Sequence, residues 1–411
     1  MKKVFTNYIE TFKGLSTEVW WLALITFINR AGTMVIPFLS LYLKEGLSFT
    51  FSQVGWILSC FGLGSFVGSW VGGKLTDTIG AFTVMKYSLF ISGLLFGILQ
   101  FIENFTGLCI GVFLVMVVAD SFRPASFVAL RAYSKPENRT RSVSLIRLAV
   151  NLGFSAGPFI GGIIITYMSY KGLFWVDAVT CIAASVVLTK VLHPKKARVI
   201  DNTKNENPVS IFKDKIFWIF FIGLFSFGFT FLQYFSTVPI YYKDVHELSE
   251  LQIGQLLGFN GFLVFILEMP LTKWLEDKKY SKALISFYGL LLTVISFVLF
   301  NISNWAGILI IGIVLMSVGE MLFFPFSNAF ALDRSKRGKQ GEYMAFYSMA
   351  FSLSQIFCHN SGMQLIEFLG FNSMWNIIVG IGIIGLLFII LLMKMIKQEE
   401  NELKPSYHTI N

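Results

Sequence analysis

The sequence predicts an all-α membrane protein whose twelve transmembrane helices form two pseudo-symmetric bundles of six. Three observations carry that prediction. The first is composition: of 411 residues, 55% are hydrophobic, 44 are Phe, only 14% are charged, and the mean hydropathy is +0.67. Soluble domains carry roughly 25% charged residues, so lipid has to solvate much of this surface. The second is that the apolar residues gather into twelve stretches, each near the roughly 20 residues a helix needs to cross the hydrocarbon. The third is a set of internal matches at one nearly constant spacing, the mark of a duplicated half.

Taken in order, residues 1–18 place Phe5, Tyr8, Ile9, Phe12 and Leu15 at helical spacing beside Lys2, Lys3 and Lys13. That pattern fits a short amphipathic helix lying in the membrane interface. A cleavable signal is not expected, because the next segment is long enough to span and lacks a small-residue cleavage site. Six spans follow near 19–43, 52–75, 83–102, 107–132, 142–167 and 173–193, giving an N-terminal bundle over 19–193. Residues 194–216, with the run from Asp201 to Pro208, read as a solvated cytoplasmic linker. The C-terminal bundle, 217–397, holds spans near 217–242, 251–275, 282–301, 306–332, 342–367 and 372–397, and 398–411 form a cytoplasmic tail.

Lys and Arg set the orientation. Of the 33 basic residues, 27 fall on the face that holds the N-terminus. Lys44, Lys171 and Lys243 fall on the other face, and Arg30, Arg123 and Arg147 lie inside spans. Both termini are therefore expected in the cytoplasm, with the chain in the cell inner membrane. The net charge of +9 is a topology signal and calls for no nucleic-acid partner. Cys60, Cys109, Cys181 and Cys358 are scattered singly in apolar stretches, which suggests neither a disulfide framework nor a metal site.

The repeat shows at three places. Pro124 of span four and Pro325 of span ten are 201 residues apart, and Pro37 and Pro239 of spans one and seven are 202 apart. Ser52-Gln53-Val54-Gly55 answers Leu251-Gln252-Ile253-Gly254 at 199. Parallel duplicated halves enclosing a midplane site are what alternating access requires.

Two motifs carry a family resemblance. Between spans two and three stands Gly73-Lys74-Leu75-Thr76-Asp77-Thr78-Ile79-Gly80. It resembles the loop signature G-x-L-x-D-R-x-G-R-K of the major facilitator superfamily, in part only, since Thr78, Ala81 and Phe82 replace basic residues. Gly73 and Gly80 permit the tight turn, and Asp77 is expected to hold a cytoplasmic gate with Arg131, Arg139 or Arg141. Span five contains Gly153-Phe154-Ser155-Ala156-Gly157-Pro158-Phe159-Ile160-Gly161-Gly162. This is similar to the G-x-x-x-G-P-x-x-G-G element of drug/proton antiporters in that superfamily, where Gly157 and Pro158 allow close packing and a bend. The acid and Pro of span ten look most like twelve-span bacterial multidrug exporters. That resemblance implies proton coupling and binding of cationic drugs at Glu320, in a major facilitator fold.

Charges inside the membrane cost about 2.5–3.5 kcal/mol or more, so each is a functional candidate. Arg30 lies roughly 16 Å into span one. Asp120 and Glu320 lie about halfway through spans four and ten. Asp120 has Arg123 three residues away on its own helix face and is expected to pair with it. Glu320 is followed by Met321, Leu322, Phe323 and Phe324, a setting that suits reversible protonation. The proton-coupling candidates are thus Glu320 and Asp120, and the substrate-binding candidates are Arg30, Asn29, Glu268, Tyr234, Asn328 and His359. Gate candidates are Gly73, Asp77, Gly80, Arg123, Arg131, Gly157 and Pro158. Arg147 is close enough to the cytoplasmic end to snorkel, and Asp177, near the outer face, reads as a solvated acid. Glu268 suits gate or site, and His359 suits a titrating group or a neutral interhelical hydrogen bond.

A phosphate-loop match, Gly68 to Lys74, fails because Leu75 replaces the Ser or Thr that would hold magnesium and the segment ends a span. No enzyme, cofactor or metal is expected. The leading reading is a monomeric, proton-coupled exporter of hydrophobic or cationic small molecules, with the lipid bilayer and protons as its other partners. Proton-coupled transport of peptides, amino acids or related metabolites is the alternative, although span one lacks the acids of the peptide transporters' E-x-x-E-R segment. A membrane sensor that no longer transports is the alternative from another class.

Overall fold

The structure is a computed structural model that describes residues 14–32, 34–135, 138–195, 210–278, 280–302, 305–338 and 340–403. The amphipathic pattern over 1–13 and most of the linker lie outside the described residues. The described residues form helices and turns, with no strand among them. Among the described residues, eleven helical stretches are long and apolar enough to cross a membrane.

Span one is two helices, α1 (Thr17–Ala31) and α2 (Val35–Leu41), ending in a π turn over Tyr42–Gly46. Spans two and three are α3 (Phe51–Ile79) and α4 (Ala81–Leu99). Span four divides into α5 (Phe105–Asp120) and α6 (Phe122–Tyr133). Spans five and six are α7 (Arg139–Tyr167) and α8 (Tyr170–Val191). Span seven breaks like span one, into α9 (Lys215–Phe231) and α10 (Thr237–Asp244) around a 3-10 turn over Leu232–Phe235. Spans eight to ten are α11 (Glu250–Asp277), α12 (Lys282–Ile302) and α13 (Gly307–Arg334). The last stretch, α14 (Gln340–Leu403), is 64 residues long and is interrupted at Gly370, whose φ of 75° breaks the helix. Its two parts supply spans eleven and twelve, and only glycine takes this left-handed, extended backbone readily.

Helix starts are specified locally. Thr50 and Gln53 exchange side-chain-to-backbone hydrogen bonds at the start of α3. Ser249 and Gln252 do the same at the start of α11. Each pair satisfies two otherwise orphaned N–H groups. The two capping boxes are 199 residues apart, the spacing of the Gln–Gly match, so that match records a duplicated helix start. Trp20, Trp56, Trp70, Trp175, Trp274 and Trp305 are exposed near span ends, where indoles settle at the membrane interface.

The chain divides into two compact units. One holds spans one to six with Phe235–Phe265 and His359–Glu367, and the other holds Ile266–Cys358 with the rest of spans seven, eleven and twelve. Within the first, Val19, Leu22, Met85, Ala125, Leu145 and Leu188 form a buried core at the end of the bundle nearest the linker. Span eight's first half packs on span five in this unit. The Ser155 hydroxyl donates to the Gly258 carbonyl at 2.9 Å, and a Cβ on Gly254 would fall 2.4 Å from the Pro158 carbonyl oxygen. The second unit is knit by aromatic rings, among them Phe227 stacked on Phe323 with centroids 3.7 Å apart.

Candidate functional site

In the first unit the chemistry gathers where span one breaks. The α1 helix stops after Ala31, one residue beyond Arg30, and restarts at Val35. The restart leaves backbone N–H groups without helical partners, and Asp177 of α8 supplies them. Its two carboxylate oxygens accept from Met34 N at 2.9 Å and Val35 N at 3.0 Å, and the side chain is fully buried. This corrects the expectation of a solvated acid: Asp177 caps the broken helix. Asn29, buried on α1, and Ser92 of α4 both lie within hydrogen-bond reach of the Cys181 thiol.

Arg30 is half-buried, with its guanidinium 5.7 Å from the Phe154 ring and within electrostatic reach of Asp120 and Arg123. Span five brings its backbone close. A Cβ on Gly153 would lie 2.5 Å from the Arg30 Cβ, and one on Gly157, a turn later, would meet the Ala31 and Arg30 carbonyls at 3.3 and 3.5 Å. The Gly153–Gly162 motif therefore works in this structure as a contact strip, with one face against the span-one break. Pro158 sits inside α7, and its carbonyl faces Gly254.

Asp120 ends α5, and its carboxylate accepts a hydrogen bond from the Ser65 hydroxyl of α3. The next residue, Ser121, donates to the Gly68 carbonyl at 3.0 Å, which ties the interruption of span four to span two. Arg123 is exposed and forms no ion pair with Asp120, so the expected pairing within one helix gives way to a bond between helices. Ser121 keeps helical dihedrals, φ −64° and ψ −23°, so the backbone does not separate the two residues; the Ser65 hydroxyl on the packed face of α3 takes the carboxylate instead.

The second unit holds Glu320, half-buried on α13. Its neighbour Gly319 abuts Gly289 and Thr293 of α12. One turn on, Phe324 meets Phe227, Phe231 and Phe351 with ring centroids 5.1–5.3 Å apart. Glu268 is buried on α11, two residues before Pro270, and Asn328 is exposed on α13. Tyr234 is fully buried. Its ring lies 5.0 Å from Phe297, and its hydroxyl donates to the Gly312 carbonyl at 3.3 Å, so its neighbours are packing groups. His359, in the first unit, is buried.

At the loop motif, Gly80 has φ 87° and joins α3 to α4. A side chain at Gly73 would meet open space. Asp77 is exposed and forms no ion pair with Arg131 or Arg141, both also exposed; the Arg139 side chain lies outside the described residues. Two features escaped the sequence reading. Leu275 and Asp277 stand 200 residues after Leu75 and Asp77, a second copy of the loop motif's L-x-D that an aligned repeat would have exposed. The other is a charge knot at the linker end of the second half, Asp214–Arg334–Glu399, whose members are separated by 65 and 120 residues.

Duplicated bundles, helices broken near mid-span and acids beside those breaks define a polytopic membrane protein of transporter architecture. The chain belongs to the Major Facilitator Superfamily, whose family profile matches residues 22–358 and 279–408. It is 21% identical over 387 residues to a Na(+), Li(+), K(+)/H(+) antiporter of Planococcus maritimus, covering 86% of this chain and 89% of that one. It is 23% identical over 262 residues to the quinolone resistance protein NorA of Staphylococcus aureus (strain MRSA252), covering 59% and 66%. Among solved structures, a crystal structure of peptide transporter POT superposes with a TM-score of 0.77 at 15% identity, covering 94% of this chain and 96% of that one. That likeness bears on the fold.

Proposed function

We propose that this protein is a proton-coupled antiporter that exports hydrophobic or cationic small molecules by alternating access. One observation carries the reading: two mid-span acids stand in opposite chemical settings. Asp120 accepts from Ser65 and lies in the field of Arg30, a mid-span cation that its carboxylate can balance. Glu320 lies one turn before Phe324, whose ring meets those of Phe227, Phe231 and Phe351, and an acid in such apolar company suits reversible protonation. The names of two relatives, an ion/proton antiporter and a quinolone resistance protein, support the same class.

In this mechanism Glu320 alternates between the acid, which leaves the site neutral, and the carboxylate, which draws a cationic substrate. Asp177 fixes the direction of α2 after the break and thereby the position of Arg30, and Arg30 and Asp120 balance each other's charge. Asp77 and Arg131 act at the cytoplasmic end as gate residues. The protein works as a monomer in the inner membrane with both termini in the cytoplasm.

Glu320→Gln keeps the shape and hydrogen bonding of the protonated acid but cannot release the proton. Reconstituted with an imposed pH gradient, that variant is expected to lose uphill transport while retaining substrate counterflow. Uphill transport at the wild-type rate would remove Glu320 from the coupling role and pass it to Asp120 or Glu268.

A further inference from the structure

At the linker end of the second half, the start of span seven meets the ends of spans ten and twelve. Arg334, its side chain 10% exposed, gives Nε and Nη2 to the two Asp214 oxygens, each at 2.7 Å, and Nη1 to Glu399 at 2.6 Å. Asp214 also accepts from the Phe217 N–H and the Tyr343 hydroxyl, and Glu399 from Arg337. Both carboxylates are thus fully engaged. Beside them opens a cavity of about 280 Å³ whose lining includes Lys213, Lys215, Arg334 and Arg337 as well as Asp214 and Glu399.

Four cations face two acids in that cavity, which leaves two positive charges uncompensated. Lys213 and Lys215 are exposed and reach no carboxylate among the described residues. The cavity has room for a phosphate and its glycerol, and arginine forks beside lysines suit phosphate oxygens. Its surroundings are apolar on one side. Phe212, 66% exposed, stacks on Trp218 with centroids 6.3 Å apart and meets Phe346 edge-on at 5.6 Å. A basic hollow at span ends, flanked by the exposed Phe212 ring and the half-buried rings of Trp218 and Phe346, matches a molecule with an anionic head and an apolar tail.

We propose that this cavity binds the phosphate of an anionic glycerophospholipid, whose acyl chains lie along Phe212, Trp218 and Phe346. Lys213 and Lys215 supply the net attraction, the Arg337 donors not used by Glu399 orient the phosphate, and the bound lipid joins spans seven, ten and twelve. The site is independent of the transported substrate and of the coupling ion, since it uses neither Glu320 nor the span-one break.

The test uses the purified full chain in a neutral detergent, with thermal unfolding followed as lipid is titrated. Phosphatidylglycerol is expected to raise the unfolding temperature and phosphatidylcholine to leave it unchanged. In the Lys213→Gln/Lys215→Gln variant, phosphatidylglycerol is expected to bind roughly 30-fold more weakly, at the scale by which each basic side chain near a membrane surface contributes. Phe212→Ala is expected to lower the lipid-free unfolding temperature slightly, through its lost ring contacts, and to shrink the rise that phosphatidylglycerol produces above that baseline. An undiminished response in the double variant overturns the site. An equal response to inorganic phosphate or glycerol phosphate overturns the lipid assignment and makes the cavity a free-anion site.

Discussion

The two halves share a backbone plan and place their buried charge at opposite levels. Span one breaks between Ala31 and Val35, and the buried carboxylate of Asp177 caps the restart. Span seven breaks at the corresponding place, yet 201 residues after Asp177 stands Ile378, which is fully buried. There the break is a 3-10 turn held by Tyr234, whose ring packs on Phe297 and Phe300. At the linker ends the pattern reverses. Arg334 ties span ten to spans seven and twelve through ion pairs with two carboxylates, whereas Tyr133, 201 residues earlier, ties span four to its neighbours with neutral hydrogen bonds and lies under the Lys195 ammonium, 5.6 Å from its ring. The Ser16 hydroxyl donates to the Tyr133 carbonyl at 2.8 Å, and the Tyr133 hydroxyl donates to the His193 carbonyl at 2.7 Å. After duplication the positions of the breaks persisted while the groups that satisfy them diverged. The half that caps its break with a carboxyl group also holds Arg30, which suggests that fixed polar geometry is needed there and ring packing suffices in the other half.

The largest effect that sharpens this contrast is expected at Asp177. Asp177→Leu leaves two buried N–H groups unsatisfied at about 1–3 kcal/mol each, a total loss of about 2–6 kcal/mol. Asp177→Asn keeps one acceptor oxygen and is expected to lose roughly half as much. Thermal unfolding of the purified variants checks the order, and wild-type stability in Asp177→Leu would show that the carboxylate is not the cap. Because Arg30 follows the geometry of the break, Asp177→Asn is also expected to lower transport more than its stability loss explains.

The second effect concerns the opposite level of the other half. Burial opposes ionisation of Asp214, but the Arg334 hydrogen bonds and charge, with the Phe217 N–H and Tyr343 hydroxyl, hold its carboxyl below the ordinary value of 3.8. An acid depressed in the folded state stabilises it fully above its unfolded value, and that contribution is lost as pH falls through the folded value. Wild-type protein is therefore expected to lose more stability than Asp214→Asn as pH drops below about 4, with the two alike in slope at neutral pH. Parallel acid-unfolding curves for the two proteins would remove Asp214 as the source of the difference between the halves.

How much of this was legible in the sequence depends on whether the partner carries a signature. Spans were legible because hydropathy is local, and the gap between residues 367 and 372 coincides with the break at Gly370. The duplicated Gln–Gly pairs were visible, but their meaning lay in Thr50 and Ser249, just upstream and differing in type. Asp177 was not legible, since its partners are backbone N–H groups 142 and 143 residues away, and any residue type can supply those. Asp120 misled for a related reason: Arg123 is near in sequence, and the group that bonds it, Ser65, is 55 residues away. Arg30, Asp120 and Glu320 were legible as sites because charge within an apolar span is conspicuous, while their pairings were not.

The smallest effect is the most discriminating. Tyr234 was a candidate for substrate contact on sequence grounds, but its hydroxyl is spent on Gly312 and Ser296 and its ring on Phe297 and Phe300. If the span-seven break is held by ring packing, Tyr234→Phe keeps the ring and loses only the hydroxyl's bonds to Gly312 and Ser296, about 0.5–1.5 kcal/mol each. Tyr234→Ala removes the ring and opens a cavity, and by analogy with other aromatic truncations is expected to cost about 3–5 kcal/mol. A wide gap between the two variants is the sign of packing, and a narrow gap would mean that the hydroxyl does the holding, which would make the two breaks alike after all. Substrate affinity separates the functional question from the structural one. A residue that only packs leaves affinity unchanged in Tyr234→Phe, whereas a residue whose hydroxyl meets substrate shifts it even when the unfolding temperature scarcely moves. Measured together on one purified variant, unfolding temperature and substrate affinity decide whether the second half's break is scaffold or site.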